Sequence, residues 1–179
     1  MESVDLYPTI AELAGLSKPD DLDGINLESL MTKESEHLKD AVFSEYPRCP
    51  SNLSEPWSDR TSCVFTNRSN FTAMGYSVRT KHWRYTVWLH WDGTNLVGDF
   101  DRVIAEELYE HQDDDGTNFD RFENVNVVDF DKYSEIRSDM LKRAKDHWSL
   151  NSNSRDVFTK ERPEFSGADP VDQFELWSY

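Results

Sequence analysis

Hydrophobic residues recur along the chain with strand-like and helix-like spacing, and these patterns divide it into a few elements. Over residues 83–91 every second residue is apolar, which is typical of a strand with one buried face: Trp83, Tyr85, Val87, Leu89 and Trp91. Residues 74–80 precede this segment as a second strand, so the two predict a hairpin. Two shorter segments, 41–46 and 106–109, predict further strands.

Helical spacing appears near both ends of the chain. Residues 4–15 carry apolar side chains every three or four positions, with Pro8 in the first turn and Gly15 as a natural end. Residues 129–148 repeat the pattern over a longer stretch, and their apolar stripe suits the buried face of the sheet. The polar segment 16–39 predicts a connecting loop with one helical turn. Strands followed by a helix indicate an α+β domain.

Two segments lack periodicity. Residues 47–73 form a long irregular insert between the first strand and the hairpin. Residues 151–179 are rich in Asn, Ser, Asp, Glu and Pro, which predicts a polar, disordered tail.

Composition and charge narrow the classes of function. A chain of 179 residues is about one domain long, and its net charge of −16 argues against nucleic-acid binding. No apolar run approaches the roughly 18 residues of a membrane span. Residues 46–100 differ from the rest, because they hold six Lys or Arg against four Asp or Glu and ten of the 23 aromatic residues. A basic, aromatic sheet would suit an anionic sugar, although aromatic residues favour strands in any case.

Cysteines and glycosylation sequons indicate a secreted or lumenal protein. A bond between Cys49 and Cys63 would close a loop of about 15 residues. N-x-[ST] sequons begin at Asn52, Asn67 and Asn70. The chain nevertheless starts without a signal-peptide pattern, so we expect it to be a fragment.

Sequence patterns for catalysis are weak. The acidic turn at residues 111–116 resembles a calcium loop, but Phe122 occupies the position where such a loop needs its bidentate acid. The five His residues show no metal-ligand spacing, and the chain has no G-x-S-x-G, GxGxxG or P-loop motif.

Longer motifs resemble a known family. VDLYPTIAELAGL at residues 4–16, followed by DGINL, is similar to a segment late in the large domain of type I sulfatases. FSEYPR, MGYSVRT, WRYTVW and ELY resemble the subfamily that acts on iduronate 2-sulfate. The resemblance covers residues 3–148. It implies an alkaline-phosphatase-like α/β domain followed by a small subdomain with a four-stranded antiparallel sheet and a C-terminal helix. On this basis residues 1–40 end the catalytic domain, 41–150 form the subdomain, and 151–179 are the tail.

The resemblance also implies chemistry. Such enzymes hydrolyse sulfate esters with a formylglycine made from the Cys of a C-x-P-S-R motif, assisted by calcium and by a Lys and His clamp on the sulfate. We expect all of these groups upstream of Met1. The sequence Cys49-Pro50-Ser51-Asn52 lacks the intervening residue and the Arg of that motif, so a disulfide with Cys63 is preferred.

The implied substrate is iduronate 2-sulfate in dermatan or heparan sulfate, in a lysosomal or secreted enzyme. Tyr46 and the loop after it, including Trp57, would approach the pocket as substrate-binding residues, and Arg60 would meet the uronate carboxylate. Arg48 would be either a second contact or a structural ion-pair partner. The expected partners are the sulfated glycosaminoglycan and the missing N-terminal catalytic domain. Two alternatives stay open, namely a non-catalytic secreted module of sulfatase descent that binds an anionic glycan or a partner, and a sulfatase of different sugar specificity.

Overall fold

The computed structural model describes residues 1–35, 37–49, 63 and 66–153, with the backbone alone at 119 and 149–153. The N-terminal segment holds a 3-10 turn at Ser3–Asp5, helix α1 at Leu6–Leu13, and the short helix α2 at Glu28–Met31. The predicted helix over 4–15 is therefore confirmed, with its first turn tightened. Gly15 follows it with a φ of 65°, a conformation that glycine adopts without a steric penalty.

Four strands form one antiparallel sheet in the order β1-β2-β3-β4. Their bounds are Val42–Arg48, Ala73–Arg79, Trp83–Asp92 and Val97–Glu110. The sheet and the hairpin confirm the predicted α+β architecture. Only β4 differs greatly from its prediction, because it begins at Val97 rather than near 106.

The unexpected start of β4 has a packing reason. Glycine usually weakens the interior of a strand, but a Cβ at Gly98 would lie 2.7 Å from the ring of Tyr76. Tyr76 is completely buried, and its hydroxyl accepts a hydrogen bond from the Gly98 N–H at 3.2 Å. The glycine thus makes room for a core tyrosine and continues the strand.

The core lies between one face of the sheet, called here the inner face, and helix α3 at Ser134–Asn153. Trp148 of α3 stacks on Tyr76 with the ring centroids 4.1 Å apart. Three of the five alternating residues predicted from β3 are fully buried, namely Tyr85, Val87 and Leu89. Trp83 and Trp91 are partly buried against the same core. The apolar stripe of the C-terminal helix therefore packs where the sequence pattern placed it.

The last helix differs from its prediction at both ends. A separate 3-10 turn occupies Asp131–Tyr133, and α3 then runs to Asn153 rather than to 148. Residues 154–179 lie outside the described residues, so the polar tail stays a prediction. None of the helices that the structure describes has both the length and the apolar character needed to cross a membrane.

Candidate functional site

The face of the sheet opposite α3, called here the outer face, carries a row of residues set by strand register. Tyr46 of β1 pairs with Gly75 of β2, and Gly75 pairs with Trp88 of β3. Directly paired residues share a face of an antiparallel sheet. The register therefore places two aromatic rings on either side of a glycine, with Arg48 two residues further along β1.

Arg48 lies against both rings. Its guanidinium carbon is 5.4 Å from the centroid of the Tyr46 ring and 4.9 Å from that of Trp88, which are cation–π distances. The Nε atom is buried and has no hydrogen-bond partner among the described residues. No carboxylate in the described ranges forms an ion pair with this side chain. We call Tyr46, Arg48 and Trp88 the Arg48 cluster.

The chemistry of the Arg48 cluster suits an anionic ring. A guanidinium group presents a planar fork of donors that matches a carboxylate or a sulfate in bidentate geometry. A cation that lacks a described acid partner retains those donors for a ligand. Tyr46 is 62% exposed, so one ring of the cluster faces outward.

A second group of charges at the other end of the sheet is ion-paired within the protein. Arg79 donates to Asp114 at 3.1 Å, and Arg84 pairs with Glu123 at 2.8 Å. The buried His111 lies between the two acids, with its ring nitrogens 2.7 Å from Asp114 and 2.9 Å from Glu123. The hydrogen bond with His111 is the main cause that holds the pKa of Asp114 below its ordinary value. These arginines are therefore neutralised by protein groups, unlike Arg48.

A cleft of about 480 Å³ lies elsewhere, between the β2–β3 turn and α3. Its walls include Trp83, Ile136 and Met140, and its rim mixes Lys81 with Asp139. Because its charges have both signs and its floor is apolar, it offers no comparable anion site.

Sequence comparison with characterised proteins finds similarity to two kinds of sulfatase. The chain is 33% identical to mouse iduronate 2-sulfatase over 129 residues, covering 61% of this chain and 22% of that protein. Human iduronate 2-sulfatase matches the same shares at 30% identity, and human arylsulfatase K is 32% identical over 96 residues, covering 52% of this chain and 15% of that protein. The chain is related to the sulfatases. It spans about a fifth of the length of the two iduronate 2-sulfatases. No family model matches it.

The sulfatase-derived site predictions fall partly within the described residues. Tyr46 and Arg48 are brought together on the outer face, as described above. Arg60, Trp57 and Asn52 lie outside the described residues, so their roles stay predictions. Of the two readings of Arg48, the structural ion pair has no partner in the part of the chain that the structure describes.

The two cysteines and two sequons are placed by the structure. Cys49 and Cys63 are joined by a disulfide, with Cα atoms 5.7 Å apart. Asn67 and Asn70 are exposed at a 3-10 turn that spans Arg68–Asn70, so both side chains are accessible to solvent. Asn67 caps this turn by accepting a hydrogen bond from the Ser69 N–H at 3.0 Å.

Two residues of the site were not predicted from the sequence. Trp88 was recognised as an aromatic residue of the middle segment but not as a site residue, and Glu107 was placed only in a strand. The Trp88 indole N–H donates to Glu107 at 2.7 Å. This bond joins residues that are diagonal neighbours across β3 and β4, so the exact register was needed to find it. No three His, Cys, Asp or Glu side chains among the described residues are arranged to hold a metal ion.

Proposed function

We propose that this chain is the C-terminal part of a sulfatase that hydrolyses the 2-sulfate ester of iduronate in dermatan and heparan sulfate. In this proposal the chain supplies a wall of the substrate pocket, and Arg48 and Arg60 bind the uronate carboxylate. The single observation that carries the proposal is the Arg48 cluster, in which a guanidinium stacked on Trp88 has a buried nitrogen without a described partner. The similarity to iduronate 2-sulfatases supports the choice of iduronate 2-sulfate as the proposed substrate.

The catalytic groups are proposed to lie in sequence before Met1. These are the formylglycine, the calcium ligands and the sulfate clamp of a catalytic domain. The described residues do not offer a fit for calcium, so no reaction step is assigned to a metal within them. The 179-residue chain alone should therefore show no sulfatase turnover. Hydrolysis of a fluorogenic sulfated iduronide by the purified chain would contradict this division of roles.

Helix α1 is proposed to pack against the rest of the catalytic domain, whose last segment it forms. Its side chains Leu6, Ile10 and Leu13 are 46%, 61% and 53% exposed. Apolar side chains on one side of a short helix are an ordinary interface with another domain. The domain that would cover them is the partner implied by the resemblance.

A lysosomal or secreted location completes the proposal. It is supported by the disulfide between Cys49 and Cys63 and by exposed sequons at Asn67 and Asn70. Disulfides persist in oxidising compartments, and N-linked glycans are added in the secretory pathway.

The experiment uses the full-length enzyme with two sulfated substrates, an iduronide and its carboxyl-reduced counterpart. Loss of a charge-assisted contact in Arg48→Ala should remove about 1.5–3 kcal/mol of binding to the transition state, a drop of about 10- to 150-fold in kcat/KM on the iduronide. Arg60→Ala should behave in the same way. Lys at either position should restore only part of the activity, because the forked geometry is lost.

The carboxyl-reduced substrate is the control. Both Ala variants should hydrolyse it at nearly the wild-type rate, since no carboxylate is present to lose a partner. Equal losses on the two substrates would reject uronate recognition. If the transcript shows an authentic start at Met1, the non-catalytic module that binds an anionic glycan becomes the better account.

A further inference from the structure

One line of contacts crosses all four strands on the outer face and ends at Arg48. On β4, Glu107 accepts a hydrogen bond from the Tyr109 hydroxyl at 3.0 Å and another from the Trp88 indole N–H at 2.7 Å. The indole ring then lies beside Gly75 of β2 and beneath the guanidinium of Arg48 of β1. Each strand thus contributes one step between Glu107 and Arg48.

Glu107 uses both of its carboxylate oxygens in this line of contacts. Its two carboxylate oxygens accept from different donors, one from Trp88 and the other from Tyr109. It forms no ion pair with a Lys or Arg of the described residues. Burial, followed by the hydrogen bond to Glu107, raises the pKa of Tyr109 to about 12, so its hydroxyl stays a neutral donor at physiological pH. The carboxylate therefore binds the edge of the indole rather than a cation.

Gly75 fixes the same indole from the sheet side. A Cβ at this position would lie 2.7 Å from Trp88 Cζ3 and 2.9 Å from two further ring atoms, closer than real side chains approach. The ring can rest on the backbone only because the side chain is absent. Gly75 and Glu107 together determine where the ring face meets Arg48.

We propose that Glu107 is a positioning residue for anion recognition, which acts through Trp88 to hold the Arg48 guanidinium where it can meet the carboxylate of an anionic sugar. The inference rests on the function proposed above. It assigns to a carboxylate on β4 an effect on a binding group on β1. Glu107 itself touches no substrate in this scheme.

The first test needs no substrate. In the 179-residue chain, the side-chain resonances of Arg48 should carry an upfield ring-current shift from Trp88, measured by NMR with labelled arginine. Glu107→Ala should reduce that shift, whereas Glu107→Gln should keep it because the amide oxygen still accepts the indole N–H. Trp88→Phe and Gly75→Ala should also change it, since one removes the donor and the other displaces the ring. Glu110→Ala, an exposed acid on the same strand, is the matched control and should leave it unchanged.

The second test measures the consequence in the full-length enzyme. Glu107→Ala should raise KM for the sulfated iduronide by about fivefold with kcat nearly constant, as expected for an indirect loss of one contact. Gln should restore KM to within about twofold of wild type, and the carboxyl-reduced substrate should not respond. A general loss of stability would instead affect both substrates and would not be rescued by Gln.

The outcomes separate the two proposals. If Arg48→Ala impairs the iduronide but Glu107→Ala leaves the Arg48 resonances and KM unchanged, the positioning role is overturned and the proposed function stands. If Arg48→Ala has equal effects on both substrates, uronate recognition fails whatever the NMR result. Loss of the ring-current shift in Glu107→Gln as well as in Glu107→Ala would also overturn the positioning role.

Discussion

Glu106 and Glu107 are neighbours on β4 but serve opposite faces of the sheet. On the inner face, Glu106 accepts hydrogen bonds from the buried Tyr85 hydroxyl and from Arg137 of α3. Burial opposes its charge, yet the hydrogen bonds from Arg137 and Tyr85 outweigh that effect and hold the pKa of Glu106 below its ordinary value. On the outer face, Glu107 accepts only from neutral donors, and the nearby cation Arg48 lacks an acid partner among the described residues.

The comparison distinguishes a charged residue that stabilises the fold, Glu106, from one that is available to bind a ligand, Arg48. On the inner face Glu106 is matched with Arg137, so removing either member leaves the other unsatisfied. In the Arg48 cluster, Glu107 holds the ring of Trp88, and the guanidinium of Arg48 has no acid partner among the described residues. Inner-face changes should therefore lower stability, whereas changes in the Arg48 cluster should lower recognition and leave stability nearly intact.

The largest effect on stability is expected for Leu89→Ala. Leu89 is fully buried between the sheet and α3, so its truncation should lower the free energy of unfolding by about 3 kcal/mol through lost burial and a residual cavity. Urea unfolding of the 179-residue chain would measure it. Val103→Ala, at a position 44% exposed on the neighbouring strand, is the control and should cost less than about 1 kcal/mol. Similar losses for both variants would show that the inner face is not the core.

An intermediate effect is expected for Glu106→Ala. It should lower the free energy of unfolding by about 2 kcal/mol at pH 7, because it leaves the Tyr85 hydroxyl and Arg137 without their acceptor. The matched change Glu107→Ala should cost less than about 1 kcal/mol, since its donors are neutral and nearer to solvent. Equal losses for the two variants would remove the distinction between the faces.

The Glu106 effect should depend on pH with a definite sign. Since its pKa is lowered in the folded protein, the stabilisation is fully present above the ordinary glutamate value of 4.5 and is lost as the pH falls through the folded value. The difference between wild type and Glu106→Ala should therefore be constant at neutral pH and shrink in acid. Unfolding curves collected from pH 7 down to about 3 would show this narrowing, and a difference that grows in acid would contradict the assignment.

The smallest effect on stability is expected for Arg48→Ala. The side chain forms no described ion pair, and its cation–π contacts near the surface contribute about 0.5–1 kcal/mol. The melting temperature should therefore fall by only a few degrees, measured by circular dichroism, although the proposed activity on the iduronide is strongly reduced. A loss as large as that of Leu89→Ala would make Arg48 a folding residue.

The sequence was sufficient for the features that depend on local pattern. Alternation along β3 predicted which of its residues are buried, and helical spacing predicted the packing stripe of α3, including Met140 and Trp148. The predicted bounds of the strands were less accurate at glycine, which occurs both in turns and inside strands. Gly98 is the clearest case, because a glycine, which usually weakens a strand, here makes room for Tyr76 within β4.

Features of the site that depend on register were beyond the sequence. Tyr46 and Arg48 were selected from the resemblance, but their grouping with Trp88 requires the pairing of β1, β2 and β3. The bond between Trp88 and Glu107 further requires a diagonal reach between strands. Pattern analysis gives the face of each residue but not its neighbour on the next strand.

Buried Asp5 and nearby Glu2 connect the N-terminal segment to the residues around position 40. Its carboxylate accepts from the Ile25 N–H at 3.0 Å and from Lys39 at 2.7 Å, while Glu2 accepts from the Phe43 N–H at 3.0 Å. The Glu2 bond crosses the proposed boundary at residue 40, and the Asp5 bonds hold Ile25 and Lys39 against the start of α1. Residues on both sides of the boundary are therefore bonded to side chains that precede α1. A domain that packs on the apolar side of α1 would thus be linked to β1, the strand that carries Arg48, through these side-chain contacts as well as through the backbone.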